Sequence, residues 1–544
     1  MTARGVDGRN PDIVLKNGLL VDGSGARAYH ANLLIRGGRI HRISRMPIRT
    51  TGLTIDCTGR VVAPGFIDAH SHLDWHVPIK GHDELKYPFV AQGITTVVAG
   101  NCGTSAAGFR PSSSWKDRLA DNMMANGFLS LQWDSVADYF ERLASSGISH
   151  NLALLAGHGS TRISIRGLDP SPLHPYEIKE LLWLLEKAMA EGARGVSMGL
   201  QYEPGIYSRP EELREVALLV RRKGKILSVH LRAYSALAPG YPLRLGGEPH
   251  NLIALREILD LARSTGVRLE ISHLIFVGSR TWRTAEKALR LIDLAIAQGV
   301  DVKFDTYPYP FGASWINVVL PSWFLARGAA AYEETASLRK LKRQIFLIER
   351  LLGFGPAEVQ VTDTRAEELA EYNGRFLNEI ARVRRLSPVD ALIDIAHRSG
   401  GRARVLCHRY SNDRILEELV RHPASLFMTD AWVDRGAVQN PAAYAAFPRL
   451  LSLIRDRKLL SVEDGIRKMT GATAERFAIT DRGLLKEGMA ADIVVLDWEG
   501  IQDNTTGKET DKAPSGVEYV FVNGVKIIGS GKKENPLSAG VPLA

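Results

Sequence analysis

The middle of the chain alternates short apolar runs with stretches of helical periodicity, and this alternation limits the fold more than any other feature. Apolar runs that are each followed by a helix-like segment are typical of a parallel βα architecture. The eight runs are Val61–His70, Ile94–Gly100, Leu152–Gly157, Ala193–Gly199, Ile226–His230, Arg268–His273, Val300–Thr306 and Ser425–Asp430. Eight strands are the number that a closed (β/α)8 TIM-type barrel requires, and this α/β barrel is the predicted fold.

The two ends of the chain have a different texture. Residues 12–62 and the segment after residue 490 contain short strand-like runs separated by Asn-Gly and Gly-Gly turns. We therefore predict a small β-sandwich domain formed from both chain termini, with residues 1–62 and 481–544 on either side of a barrel at 63–480. A helical insertion is expected at about 325–400, and a ninth apolar run, Ala403–His408, is assigned to the same inserted region or else replaces one of the eight strands.

Composition excludes several broad classes. The net charge is +9, but basic residues are scattered and mixed with acidic ones, so a nucleic-acid partner is not expected. No apolar stretch approaches the ~18 residues of a membrane span, and the start of the sequence lacks the apolar region of a signal peptide. The three widely spaced cysteines do not form a disulfide framework. We expect a soluble cytoplasmic protein without a membrane partner; the sequence leaves its oligomeric state open.

A pair of histidines ends the first apolar run. His70 and His72 stand two residues apart, and on a strand such residues point to the same face. Two neutral imidazoles directed at one point are suited to a divalent transition metal.

Other metal-binding side chains follow the carboxyl ends of later strands, where parallel barrels carry their active sites. His230, His273 and Asp430 each end a predicted strand, and Cys102 comes two residues after another. Imidazole, thiolate and carboxylate donors suit either one catalytic zinc or two neighbouring metals. A metal there lowers the pKa of water, and Asp430 can take that water's proton and return it to a leaving group, so hydrolysis is the predicted reaction.

The sequence resembles the amidohydrolase superfamily, and within it the N-acyl-D-amino-acid deacylases (D-aminoacylases). The segment 63–72, Ala-Pro-Gly-Phe-Ile-Asp-Ala-His-Ser-His, is similar to the first-strand motif of the superfamily. The segment 93–103, which contains Cys102, resembles the deacylase branch specifically, as do 157–162, 199–205 and 305–309. The segments 468–474 and 488–494 resemble the closing part that the whole superfamily shares.

This resemblance implies a zinc-dependent hydrolase that acts on C–N bonds other than peptide bonds, with a small-molecule amide as its substrate. It also implies that Cys102, His230 and His273 hold one tight metal, and that His70, His72 and Asp430 face a second, weaker site, with Asp430 as general base. By the same match, Tyr202, Tyr307 and Ser314 contact the substrate.

Two cationic residues of the deacylase pattern are absent from this chain. Ile275 stands where the pattern has a lysine, and Asn440 begins the segment where it has His-Pro-Arg. Arg232 is therefore the candidate that binds an anionic substrate group, and Arg280 and Arg435 are further substitutes. The acyl group, the amine and the handedness of the substrate stay open.

Two other functions are compatible with the residues. A cyclic amide or imide hydrolase of the same superfamily is one, because missing cationic groups suit a neutral ring. A catalytically silent barrel used for binding is the other, although no predicted ligand is missing.

Overall fold

The computed structural model describes residues 11–120, 129–238, 241, 247–434 and 438–544. Its sheets form three parts: a sheet from both ends of the chain, a parallel barrel, and a small sheet in a segment inserted between the last two barrel strands. The strands are β1 Ile13–Leu20, β2 Tyr29–Arg36, β3 Arg39–Ser44, β4 Leu53–Asp56, β5 Val61–Pro64, β6 Phe66–Asp68, β7 Ile94–Ala99, β8 Asn151–Gly157, β9 Gly195–Gly199, β10 Ile226–His230, β11 Arg268–Ile271, β12 Val302–Thr306, β13 Gly312–Trp315, β14 Val359–Asp363, β15 Arg404–Cys407, β16 Ser425–Phe427, β17 Ile493–Leu496, β18 Val517–Val522, β19 Val525–Gly529 and β20 Lys532–Lys533.

The helices lie mainly between the barrel strands and in the inserted segment. They are α1 Tyr87–Ala91, α2 Lys116–Ala120, α3 Val136–Ser146, α4 His158–Arg166, α5 Pro175–Ala190, α6 Pro210–Arg222, α7 His250–Thr265, α8 Ala285–Ala297, α9 Ser322–Leu325, α10 Ala330–Glu333, α11 Thr335–Leu352, α12 Leu377–Arg384, α13 Pro388–Arg398, α14 Asp413–Arg421, α15 Ala442–Arg457, α16 Val462–Met469 and α17 Gly471–Arg476.

Side-chain caps fix where several of these helices begin. Ser135 before α3, Ser387 before α13 and Ser461 before α16 each accept a hydrogen bond from the backbone N–H three residues further on. Asn412 does the same before α14. Each cap satisfies one of the N–H groups that the first turn of a helix leaves without an intrahelical partner.

The barrel is an eight-stranded parallel sheet in the order β16-β12-β11-β10-β9-β8-β7-β6. Its edge strands meet just past their ends, where the N–H of Ala69 donates to the carbonyl of Phe427 at 3.2 Å and the N–H of Asp430 donates to that of His70 at 3.1 Å. The predicted barrel is confirmed, and the contacts that close it also bring His70 and Asp430 together.

The first predicted strand, Val61–His70, is divided between two sheets. β5 pairs with β1 and β17 in the terminal sheet, whereas β6 pairs with β7 in the barrel. Gly65 joins them at a close approach, because a Cβ atom there would lie 2.3 Å from Oγ1 of Thr95. The strand interpretation was therefore wrong for His70, which lies beyond the barrel strand, and the terminal sheet reaches Pro64 rather than residue 62.

Both chain ends contribute to one nine-stranded sheet, as predicted. Its main path is β20-β19-β18-β17-β5-β1-β2-β3, and β4 pairs with β1. The junction between the two ends is the antiparallel pair of β5 and β17. An apolar cluster of its own, which includes Leu33, Cys57 and Phe521, packs against this sheet.

The inserted segment is more than a bundle of helices. Helices α9 to α13 accompany a three-stranded antiparallel sheet in the order β13-β15-β14. The ninth predicted strand corresponds to β15, which lies in this sheet and outside the barrel. A second large apolar cluster, built around residues such as Leu341, Val361 and Leu392, forms the core of the segment.

Among the described residues, none of the helices has both the length and the apolar character that crossing a membrane requires.

Candidate metal centre

The six predicted metal ligands converge at the carboxyl-terminal mouth of the barrel. They come from five strand ends: His70 and His72 follow β6, Cys102 follows β7, His230 ends β10, His273 follows β11 and Asp430 follows β16. His70 and Asp430 are 360 positions apart in the sequence. They lie close together because the carboxyl ends of all strands of a closed parallel barrel meet at one mouth. All but Asp430 and His230 are fully buried, and those two are partly buried.

The thiol of Cys102 is surrounded by three imidazoles. Its Sγ lies 3.3 Å from Nε2 of His70, 3.5 Å from Nδ1 of His230 and 3.4 Å from Nε2 of His273. The ring centroids of His230 and His273 are 4.4 Å apart. These atoms therefore point at a common volume from three sides.

The carboxylate of Asp430 forms the second half of the cluster. Its Oδ1 lies 3.2 Å from Nε2 of His72 and 3.4 Å from Nε2 of His70. Nε2 of His70 thus faces both the carboxylate and the thiol of Cys102. His70 therefore lies between two groups of side chains. One group is the Cys102 thiol with His230 and His273, and the other is the Asp430 carboxylate with His72.

A tight turn brings the thiol into the barrel mouth. Gly100 has a φ of +79°, and a Cβ atom there would lie 2.1 Å from the carbonyl oxygen of Leu155. Asn101 holds the same turn, because its Nδ2 donates to Val98 and its Oδ1 accepts from Oγ of Ser228 at 3.1 Å. No larger residue than glycine fits at position 100, so this part of the sequence is fixed by the turn.

Three of the candidate ligands have left-handed backbone conformations. The φ values are 55° for Cys102, 30° for His273 and 47° for Asp430. Non-glycine residues seldom adopt this region, and such conformations cost about 1–3 kcal/mol each and concentrate at functional sites. The backbone therefore bends sharply where each of these side chains enters the cluster.

Burial sets the protonation of the cluster. Burial lowers the pKa of His70 to about 3 and lowers the pKa values of His230 and His273. Burial also raises the pKa of the Cys102 thiol, and the nearby Asp430 carboxylate raises it further. Burial alone would raise the pKa of Asp430, but the surrounding histidines outweigh it and hold that pKa well below its usual value. At neutral pH His70, His230 and His273 are neutral and Asp430 is ionised.

Two residues that the sequence interpretation did not single out orient the histidines. Oδ2 of Asp305 lies 3.3 Å from Nδ1 of His70, and its Oδ1 accepts from the backbone N–H of His273. Oε1 of Gln201 lies 3.1 Å from Nε2 of His230. The two ring contacts fix the tautomer and direction of His70 and His230, whereas the bond to the backbone of His273 holds that residue in its turn. Asp305 lies near the end of β12, so the strand-end rule that identified the other residues also applies to it.

The donor set fits a divalent transition metal. The ligand atoms of His70, Cys102, His273 and Asp430 all lie within 4.8 Å of one another. Among the described residues, Nδ1 of His72 and Nδ1 of His273 are buried polar atoms with no hydrogen-bond partner. Neutral imidazoles, a thiol and a carboxylate around one point are the ligands that zinc prefers, and zinc deprotonates a coordinating thiol.

Comparison with known proteins supports the same class of site. The chain matches the Amidohydrolase family over residues 53–169 and 352–528. The chain belongs to the amidohydrolase family. The predicted membership in this family is thereby confirmed. The predicted enzyme class, a metal-dependent hydrolase of C–N bonds other than peptide bonds, is confirmed with it.

Individual relatives of this amidohydrolase span almost its whole length. The D-aminoacylase of Alcaligenes xylosoxydans xylosoxydans is 29% identical over 95% of this chain and 94% of its own. The structure of an N-acyl-D-glutamate deacylase from Bordetella bronchiseptica, solved with zinc and a phosphonate mimic of the tetrahedral intermediate, has a TM-score of 0.80 and 25% identity over 98% of this chain and 100% of its own. A structure of D-aminoacylase, described as having a binuclear centre with one-metal activation and second-metal attenuation, has a TM-score of 0.79 and 26% identity over 98% and 99%.

The amidohydrolase has a cavity of about 190 Å³ beside the cluster. Three of the predicted substrate residues, Tyr202, Tyr307 and Ser314, line it together with His230, His273 and Asp430. The hydroxyl of Tyr202 donates to the backbone carbonyl of Cys102 at 2.9 Å, so Tyr202 also stabilises the backbone turn that positions the Cys102 thiol.

Arg232, the fourth predicted substrate residue, is used elsewhere. Its guanidinium donates to the carbonyls of Ile206 and Ser208 and lies 3.3 Å from Oε1 of Glu257. Its side chain thus ties α7 to the loop before α6, and its assignment as the residue that binds an anionic substrate group stays a prediction. Arg280 is exposed, and Arg435 lies outside the described residues.

Two further histidines near strand ends have other partners. Nε2 of His158 lies 2.8 Å from Oε1 of Glu212. His408 lies 3.2 Å from Oε1 of Gln360 and packs against the rings of Phe311 and Phe376. Both histidines are therefore held by residues outside the predicted ligand set.

Proposed function

We propose that this amidohydrolase is a zinc-dependent amide hydrolase that acts on N-acyl amino acids, D-configured ones in particular, or on related acyl amides. The observation that carries the proposal is the position of the Cys102 thiol, within 3.5 Å of three imidazole nitrogens and beside Asp430. The names of the relatives, D-aminoacylase and N-acyl-D-glutamate deacylase, support the substrate class.

Cys102, His230 and His273 would hold the tight zinc ion, and His70, His72 and Asp430 would face a second, weaker site. The contact of His70 with both the thiol and the carboxylate supports neighbouring sites. Zinc supplies Lewis acidity when bound: it lowers the pKa of a water molecule and polarises an acyl carbonyl.

Asp430 is the proposed general base and acid. Its carboxylate lines the cavity and is ionised, so it can accept a proton from the attacking water. The protonated carboxyl then donates that proton to the departing nitrogen, which leaves as a neutral amine. His72, with Nε2 at 3.2 Å from the same oxygen, holds the carboxylate in this direction.

Tyr307 and Ser314 are the proposed substrate contacts. Burial raises the pKa of Tyr307 well above its usual value, so its hydroxyl remains a donor at neutral pH. Both residues lie on the inserted side of the cavity, where they can orient the amide relative to Asp430.

The test is hydrolysis with controlled metal content. The protein is stripped with a chelator, reloaded with zinc, and assayed for amine release from N-acyl-D-amino acids, their L-forms and uncharged amides. We expect the stripped protein to be inactive and zinc to restore hydrolysis of at least one of these classes. Failure of every class with a zinc-loaded, folded protein would refute the proposal.

We also infer that the enzyme works in the cytoplasm. All three cysteines, Cys57, Cys102 and Cys407, are free and buried, which suits a reducing compartment. Cell fractionation checks this: the activity should appear in the cytoplasmic fraction, and its recovery from an oxidising compartment would contradict the inference.

A further inference from the structure

The chain after β16 connects the metal cluster with the inserted segment. At its start, the backbone N–H of Asp430 donates to the carbonyl of His70 at 3.1 Å. Further along, the backbone N–H of Val438 donates to the carbonyl of Thr362 in β14 at 3.3 Å. The stretch that begins with the proposed general base is therefore bound to the barrel at one point and to the inserted segment at another.

A buried ion pair lies between these two points. Asp434 and Arg404 contact each other, and only 9% and 4% of their respective surfaces are exposed. Nη2 of Arg365 lies 3.3 Å from the same oxygen of Asp434. Arg404 lies in β15 and Arg365 follows β14, so both guanidiniums come from the sheet of the inserted segment. Burial of an ion pair is repaid only by good geometry and further hydrogen bonds, so we expect this pair to have a defined position.

Further polar atoms of Asp434 are also hydrogen-bonded. Its backbone N–H donates to Oε1 of Gln439 at 3.0 Å, and Nε2 of Gln439 donates to its carbonyl at 2.7 Å. Nε1 of Trp432 donates to Oδ2 of the carboxylate at 3.2 Å. Cζ of Arg404 lies 5.6 Å from the centroid of the Trp432 ring, within the range of a cation–π contact. The ion pair therefore fixes the direction of an indole two residues after Asp430.

The indole in turn borders the metal cluster. The ring of Trp432 is buried and packs edge-on against the ring of His72, with centroids 6.1 Å apart. Nε2 of His72 lies 3.2 Å from Oδ1 of Asp430. A continuous series of contacts thus leads from Arg404 through Asp434 and Trp432 to the imidazole that holds the proposed general base.

We propose that Arg404 and Asp434 are positioning residues for the hydrolysis. Through Trp432 they set the direction of His72 and, with it, that of the Asp430 carboxylate. The described residues that line the cavity do not include Arg404 or Asp434, so the pair acts through its neighbours. The inference rests on the proposed function, because it concerns the carboxylate that transfers the proton there. A displacement of about 1 Å at a reacting group can lower the rate about a hundredfold.

The first test separates kcat from KM. Arg404→Met removes the charge that faces Asp434, so kcat of the zinc-loaded enzyme should fall about 10- to 100-fold while KM changes less than about threefold. Arg404→Lys keeps a positive charge and should bring kcat back to within about fivefold of the original value. Ser314 lies next to this site, because it pairs with Val405. A raised KM at unchanged kcat would therefore assign the pair to the substrate wall and overturn the inference.

The matched control is another ion pair of the inserted segment. Arg384 of α12 contacts Asp394 of α13. Arg384→Met should keep the kcat of each folded molecule, even if it lowers the free energy of unfolding. An equal fall of kcat in Arg384→Met and Arg404→Met would show a general loosening of the segment and would overturn the inference.

A double-mutant cycle tests whether the two positioning residues act as a pair. Asp434→Asn keeps the shape of the side chain but removes its charge, and it should lower kcat about as much as Arg404→Met does. The combined variant should lose no more than either single variant, because both remove the same interaction. Losses that multiply in the combined variant would contradict the proposal.

Fluorine NMR gives a readout that needs neither catalysis nor metal. With 5-fluorotryptophan incorporated, the resonance of Trp432 is assigned by its loss in Trp432→Phe. In the metal-free protein, Arg404→Met should shift or broaden this resonance, whereas Arg384→Met should leave it in place. An unchanged resonance in a folded Arg404→Met protein would overturn the inference.

The proposed function and the positioning role fail separately. If the original zinc-loaded protein hydrolyses none of the amides, the proposed function is refuted, and the fluorine resonance still decides whether the ion pair positions Trp432. If the original protein hydrolyses an amide and the variants at Arg404 and Asp434 keep its kcat, the positioning role is refuted and the proposed function stands.

Discussion

The two ends of the barrel both contain buried polar clusters, but they are built on opposite principles. At the amino-terminal end, Nε of Arg476 donates to Oε2 of Glu270 at 2.8 Å, and the same guanidinium contacts the Asp301 carboxylate and the Leu269 carbonyl. Here positive and negative groups face each other. At the carboxyl-terminal end, imidazoles, a thiol and a carboxylate face one another instead, and all of them are potential ligands of a cation.

One strand shows the difference over three residues. Glu270 lies within β11 and pairs with Arg476, whereas His273 lies just beyond β11 and faces the Cys102 thiol. Both side chains are buried, so burial alone does not identify a functional site. The distinguishing features are a set of donors without an opposite charge among them and a left-handed backbone at three of the six residues that carry them. The amino-terminal cluster should therefore govern stability and the carboxyl-terminal cluster catalysis.

The largest expected effect is that of Cys102→Ala. Loss of the thiol removes the donor around which three imidazoles converge, so zinc content should fall to near zero and kcat/KM should fall about a thousandfold or more. Metal analysis after dialysis measures the first effect and amine release the second. The control is Cys57→Ala, which removes another buried free thiol, in the apolar cluster of the terminal sheet, and should keep both zinc content and kcat/KM. Zinc retained at full occupancy in Cys102→Ala would show that the thiol is not a ligand.

Asp430→Asn should have the next largest effect. The amide cannot accept a proton from water, so kcat should fall about 100- to 10,000-fold while the tight zinc remains bound. Kinetics and metal analysis on the same preparation separate these quantities. Near-normal kcat in a zinc-loaded Asp430→Asn enzyme would assign the proton transfer to another group.

Asp305→Asn compares an orienting residue with the metal ligands at the carboxyl-terminal end of the barrel. Asp305 orients His70 and His273 without being among the predicted ligands, so its loss should weaken zinc binding about 10- to 100-fold and leave the protein folded. Competition with a zinc chelator of known affinity measures this. An effect as large as that of Cys102→Ala would indicate a ligand rather than an orienting residue.

Arg476→Met is expected to change catalysis least. It leaves the buried Glu270 without its partner, which should lower the free energy of unfolding by about 3–5 kcal/mol, while kcat/KM per folded molecule stays the same. Denaturant unfolding and active-site-normalised kinetics measure these two quantities. A large loss of kcat/KM in folded Arg476→Met would remove the distinction between the two ends.

Much of the barrel could be predicted from the sequence because its signals are local. The run Ile226–His230 coincides with β10, and the rule that chemistry lies at strand ends identified His230, His273 and Asp430. The division of the first strand at Gly65 was missed, because the close approach of Thr95, which leaves no room for a Cβ atom at position 65, comes from the next barrel strand.

The remaining differences are tertiary in origin. β15 gave a local signal, but β14, which pairs with it from more than 40 residues away, lies in a region whose local periodicity is helical and gave none. The direction of Arg232 depends on Glu257 in α7, which its position next to a candidate ligand does not specify. The cavity beside the metal cluster likewise depends on residues of the barrel and of the inserted segment, which come together only in the folded chain.

X-ray absorption at the zinc edge tests the central assignment most directly, because it reports the atoms bound to the metal. For the enzyme loaded with one zinc ion per chain, we expect one sulfur at about 2.3 Å and nitrogen ligands at about 2.0–2.1 Å with the scattering pattern of imidazole. The sulfur signal should be missing from any residual zinc in Cys102→Ala. Full zinc occupancy with only nitrogen and oxygen ligands in the original protein would contradict the account.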